Sequence, residues 1–202
     1  MQLNFNHVVF RQAPYPIGLA KPILDEESYA ALVDAFPPDE LLPAFGGSSY
    51  KKFALNERMP TYHDFLSTQP IWWGFYTSLK DPGFVNFVLG MLRGHGIEVG
   101  PSERWSTRFE FAAMPADGGK IAPHNDIPSK AVTLILSMCR PGEWDAAWGG
   151  GTDVLVPRAH VVPDSYKTPL EDFERVSTYE YQPNQCVVFV RSENSWHSVG
   201  PM

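Results

Sequence analysis

In one place along the chain a histidine is followed two residues later by a carboxylate: His124-Asn125-Asp126. On a β-strand, positions i and i+2 project to the same side, so an imidazole and a carboxylate at this spacing can converge on one metal ion. On a helix they diverge. Imidazole nitrogen with carboxylate oxygen is a donor set for a first-row divalent ion. The chain has six histidines (positions 7, 63, 95, 124, 160 and 197), so such a pair can arise by accident and needs a third ligand in matching context.

His197 supplies that context. Residues 185–190 (QCVVFV) are apolar enough for a strand buried on both faces. The polar turn Arg191-Ser192-Glu193-Asn194-Ser195 follows, then a short strand, Trp196-His197-Ser198-Val199. A His/Asp pair on an early strand and one histidine on a late strand match the 2-His-1-carboxylate facial triad of non-haem Fe(II) sites, which leaves coordination positions open. One negative charge stabilises Fe(II) while leaving it oxidisable. His63, His95 and His160 lack this context and are assigned to surface or packing roles, and Trp196 to packing beside His197.

These ligands need strands to hold them, and from residue 100 the pattern is strand-like. Residues 105–114, 131–138, 152–156, 177–181 and 185–191 read as short strands separated by Gly, Pro, Asp and Asn. Such spacing predicts a sandwich or open barrel. Trp148-Gly149-Gly150-Gly151-Thr152 predicts a tight turn where two backbones pass closely, and residues 157–183 a long insertion between strands. Before residue 97 the chain reads as mixed. Residues 25–36 form an amphipathic helix ended by Pro37-Pro38, and residues 84–93 a second helix, capped by Gly94 and Gly96. Residues 37–70, including Gly46-Gly47-Ser48-Ser49, predict loop. The division is residues 1–97 as a helical and loop buttress and 98–202 as the core, within a single domain.

Composition sets the outer bounds. The chain has 202 residues, 44% hydrophobic and 13% aromatic, enough for a core; its 19 prolines and 16 glycines argue against a long helical bundle. Net charge is −7 and no basic block occurs, which argues against nucleic-acid binding. The longest apolar run, residues 131–139, is too short to span a bilayer, and the N-terminal residues do not form a secretory signal. Cys139 and Cys186 lie in apolar runs without CxxC spacing, so free buried thiols and a cytoplasmic location are expected.

With these pieces assembled, residues 105–202 resemble the iron(II)/2-oxoglutarate-dependent oxygenases, in particular the prolyl-4-hydroxylase-like branch. The matching features are His124-x-Asp126, the strand at 131–138, the Trp148–Thr152 turn, and Asn184-Gln185-Cys186-Val187-Val188-Phe189 ahead of Ser195-Trp196-His197-Ser198-Val199. The resemblance implies a mainly β (α+β) fold: a double-stranded β-helix, or jelly-roll barrel, with N-terminal buttressing helices. It implies His124, Asp126 and His197 as ligands of Fe(II), with 2-oxoglutarate and O2 as cosubstrates. The substrate class would be an amino acid, a peptidyl proline or another small molecule. In the family a basic residue beyond the distal histidine holds the far carboxylate of 2-oxoglutarate. Here Met202 comes five residues after His197, so that strand is unmatched. Either the sequence is truncated or another cation substitutes, with Arg191 and Arg108 as candidates. Two other classes stay open: a non-catalytic jelly-roll binding module, and a cupin-like metalloenzyme that does not use 2-oxoglutarate. The cupin type would need a further histidine or glutamate ligand, and residues 121–130 contain none.

Overall fold

Proline decides where the helices between residues 60 and 94 begin. The computed structural model describes residues 1–202 except Gly46 and Ser48, so those two positions of the expected loop lie outside the described residues. β1 (Val9–Arg11) and β2 (Ile17–Ala20) lead into α1 (Glu26–Asp34), whose first turn is capped by the Asp25 carboxylate accepting the Ser28 N–H at 2.8 Å. β3 (Ala44–Phe45) and β4 (Tyr50–Asn56) then precede three successive helices, α2 (Pro60–Thr68), α3 (Pro70–Lys80) and α4 (Pro82–Gly94). Each of the three starts on a proline, which is tolerated there because the first helical N–H has no intrahelical partner. The residue before each proline is non-helical, Met59 and Asp81 extended and Gln69 at φ −120°, ψ 88°, and this breaks one helix from the next. The expected loop at 37–70 is therefore largely structured: Pro60 and Pro70 open helices where the sequence pattern suggested interruption. α4 ends as expected, with Gly96 at φ +73° and the Ile97 N–H returning to the Leu92 carbonyl.

The remaining strands are β5 (Glu110–Ala113), β6 (Lys120–His124), β7 (Val132–Leu136), β8 (Thr152–Pro157), β9 (Phe173–Tyr179), β10 (Cys186–Val190) and β11 (His197–Val199). They form two antiparallel sheets, one ordered β1-β2-β10-β7 and the other β3-β4-β6-β11-β8-β9, with β5 alongside β4. Residues before 97 thus supply four sheet strands as well as helices. β2 pairs with β10 and β4 with β6, so strands from both sides of residue 97 share sheets.

β10 shows how one strand serves two cores. Its alternate residues Cys186, Val188 and Val190 join Ala20 and the helical residues Leu32, Tyr62, Leu66, Trp72 and Leu92 in the larger cluster. Val187 and Phe189 face the other way and meet Ile17, Tyr15 and, from the second sheet, Val154. The unbroken apolar run is what a strand covered on both faces requires. Gly151 fits the expected close approach: a Cβ there would lie 2.8 Å from the Tyr179 carbonyl oxygen. Cys139 and Cys186 are buried free thiols, and no described helix is long and apolar enough to cross a membrane. Together the two facing antiparallel sheets and the helices on the outer side of one of them form a double-stranded β-helix.

Candidate metal centre

β6 and β11 run antiparallel with His197 directly opposite His124, and β8 places Val154 on the other side of His197. Cross-strand partners share a face, so both imidazoles point into the barrel, with ring centroids 4.1 Å apart. Asp126 lies two residues past His124. β6 ends at His124, so the carboxylate is brought in by contacts beyond the strand and not by strand alternation. Thr133 on β7 donates its hydroxyl to Asp126 Oδ2 at 2.7 Å, and the Lys130 ammonium sits 2.6 Å from Oδ1. One ligand atom from each of His124, Asp126 and His197 lies within 4.8 Å of the others, and all three residues are buried. Among the described residues no further His, Cys, Asp or Glu joins this group, so the extra ligand of a cupin-type site is absent.

The donor set fits a divalent metal on evidence internal to the rings. His124 Nδ1 lies 3.0 Å from the Ala122 carbonyl oxygen, and His197 Nδ1 lies 2.8 Å from that of Ser195. A carbonyl can only accept, so Nδ1 carries the proton in both rings and each Nε2 keeps its lone pair for a metal. Burial holds both imidazoles neutral. The pKa of His124 is pushed down to about 3 by burial and by the neighbouring His197, and that of His197 is lowered by burial. For Asp126, burial acts upward, but the Lys130 charge and the bonds from Lys130 and Thr133 outweigh it, so the carboxyl stays below its ordinary range. Two neutral imidazoles and one anionic carboxylate are the protonation states a metal requires.

Aromatic rings close the flanks. Tyr166 stacks on His124 at 4.6 Å with 15° between planes, and Phe189 of β10 lies 4.5 Å from the His197 ring. Tyr50 packs 4.6 Å from Tyr166, where burial and the Tyr50 hydroxyl raise the pKa of the Tyr166 phenol. Of the aromatic residues in the segment read as loop, Tyr50 meets this wall, whereas Tyr62 and Phe65 are buried among the helices. Tyr166 comes from the insertion, which is shorter than expected because β9 begins at Phe173.

Arg191 and Arg108 occupy different places. Arg191 follows β10 on the barrel side; its Nε donates to the Asp126 carbonyl at 3.2 Å and its Nη1 to Glu193 at 2.6 Å. Arg108 is exposed ahead of β5, and the next residue, Phe109, stacks on Trp72 in the helical core. His7, His63, His95 and His160 are all exposed. Trp196 packs on Phe173 and Leu155 away from the triad, while Trp144 packs on Trp148 and Tyr181. The sequence pattern does not single out Thr133, Lys130 or Tyr166. A hydroxyl on the barrel face of an otherwise apolar strand was the available signal for Thr133.

No protein-family model matches the chain, and no curated protein matches it in sequence. Among solved structures it is similar to a prolyl-4-hydroxylase from Pseudomonas putida, with a TM-score of 0.52, at 15% identity, over 92% of this chain and 84% of that one. What the two share is the fold: a prolyl-4-hydroxylase-like double-stranded β-helix, here holding a buried His-x-Asp…His cluster.

Proposed function

We propose that the chain is an Fe(II)- and 2-oxoglutarate-dependent dioxygenase that hydroxylates an unactivated C–H bond of an amino acid, a peptidyl proline or another small molecule. The observation that carries this reading is the buried His124, Asp126, His197 cluster, with both Nε2 lone pairs free, inside a prolyl-4-hydroxylase-like fold. Iron bound by these three residues would supply the oxygen chemistry in which 2-oxoglutarate and O2 become succinate and CO2 while substrate C–H becomes C–OH. The protein's part is to hold and orient. The Ala122 and Ser195 carbonyls aim the imidazoles, Thr133 fixes the carboxylate plane, and Tyr166 and Phe189 keep water from the ring faces.

Of the two candidate cations for the far carboxylate of 2-oxoglutarate, Arg191 is the better supported, because it lies on the barrel side against the Asp126 backbone. A guanidinium suits that task through its planar, paired donors. The test is release of labelled CO2 from 1-labelled 2-oxoglutarate, run with Fe(II) and air against free amino acids and prolyl peptides. We expect iron-dependent release, coupled to product for one substrate class. Losing a charge-assisted hydrogen bond of about 1.5–3 kcal/mol corresponds to a change of about 10- to 150-fold in KM. Arg191→Met should therefore raise the KM for 2-oxoglutarate by that factor, and Arg108→Met should leave it unchanged. Absence of iron-dependent CO2 release under every condition would contradict the reading.

A further inference from the structure

Asn125 sits between two of the candidate ligands, but its side chain reaches across to the turn that precedes the third. Its Nδ2 donates to the Ser192 carbonyl at 2.6 Å, and its Oδ1 accepts the Ser195 hydroxyl at 2.6 Å. The Ser192 carbonyl can only accept, which fixes which way the amide faces. Ser195 is fully buried; its hydroxyl also accepts the Ser192 N–H at 3.0 Å, and its carbonyl takes the His197 Nδ1–H at 2.8 Å. Ser195 thus links the middle of the His124/Asp126 segment, through its hydroxyl, to the ring of His197, through its carbonyl. The Asn125 backbone is held from the other side, its N–H donating to the Ser165 hydroxyl at 3.1 Å. The next residue, Tyr166, donates its N–H to the Pro123 carbonyl at 2.9 Å and stacks on His124.

We propose that Asn125, acting through Ser195, is a positioning residue that joins the two halves of the cluster and sets the orientation of His197 relative to His124 and Asp126. β6 and β11 do not do this alone. Their pairing shifts register between His197 and Val199, and Asp126 lies beyond the end of β6. The side-chain clasp supplies the cross-link at the point where the ladder stops.

The consequence for metal binding rests on the function proposed above, while the orientation of His197 does not, and two measurements separate them. The first is a Co(II) titration of the metal-free protein followed by visible absorption. Asn125→Ala should weaken Co(II) binding by about 10- to 100-fold, the range for losing a partner that orients a ligand. Ser195→Ala should do the same. The double variant should lose no more than the larger single loss, because both changes break one link. The second is long-range 1H–15N NMR of the histidine rings without metal. In the parent protein His124 and His197 both carry the proton on Nδ1. Either variant keeps the backbone carbonyl of residue 195 but releases the clasp that holds it in place, so His197 should become a mixture of tautomers while His124, held by Ala122, is unchanged.

A loss of affinity together with a tautomer change confined to His197 supports the proposal. Parent-like Co(II) binding with an unchanged His197 overturns it. If the parent itself fails to bind Co(II), the metal reading falls and the tautomer result decides: a change confined to His197 retains the positioning role, and no change removes it.

Discussion

Asp126→Ala should abolish metal binding at this site, with Co(II) or Fe(II) affinity reduced by well over 100-fold, beyond the range of about 10- to 100-fold for outer partners. Asp126 is the sole anionic member of the cluster and is buried with both oxygens engaged, one by Lys130 and one by Thr133. Its removal leaves a half-exposed ammonium next to two neutral imidazoles, so a dication would enter a pocket whose nearest charge repels it. Asp126→Asn keeps the shape and can still accept from Thr133, yet lacks the charge, so its affinity should fall nearly as far. Thr133→Ala removes orientation alone and should have the smaller effect. Isothermal titration with Co(II) ranks the three. Asp126→Ala binding within tenfold of the parent would mean that the carboxylate is not a ligand.

Trp72→Ala should be the most destabilising single change in the helical layer. The indole is buried and lies 4.7 Å from Phe111, 5.7 Å from Phe75, 5.9 Å from Phe109 and 6.2 Å from Phe36. It therefore joins α3 to β5 and to the segment that follows α1. Truncating a buried tryptophan costs about 3–5 kcal/mol, and in a chain of this size each kcal/mol lowers Tm by about 2–4 °C. The expected fall is about 6–20 °C. Trp72→Phe should cost much less: the indole N–H has no hydrogen-bond partner among the described residues, so phenylalanine removes an unsatisfied buried donor while keeping most of the packing. A thermal melt of the two variants checks this, and a Trp72→Phe loss equal to that of Trp72→Ala would show that the N–H is satisfied after all.

The legible part of this molecule was the part written in local spacing. His124-x-Asp126 and the apolar run ahead of His197 identified three side chains that the fold brings within ligand distance. Val187 and Phe189 alternate with Val188 and Val190, as a strand between two cores must. What could not be read depended on distant partners. β2 has four residues, and the strand that holds it, β10, lies far along the chain, so nothing local marks Ile17–Ala20 as the neighbour of Cys186–Val190. α2 and α3 were hidden because Pro60 and Pro70 carry the same local signal whether they end a segment or begin a helix. The convergence of Asp126 was anticipated through strand alternation, whereas Thr133 and Lys130 bring it about. Tyr166 reaches His124 from an insertion whose sequence has no periodic pattern to place it.

An oxygenase of this kind must hold iron at the cluster in a form that chelates an oxoacid. Titrating the anaerobic protein with Fe(II), then with 2-oxoglutarate, should produce a visible iron-to-oxoacid charge-transfer band, and His124→Ala should remove it. Iron that binds without the band, or a protein that takes up no iron, would contradict the oxygenase reading.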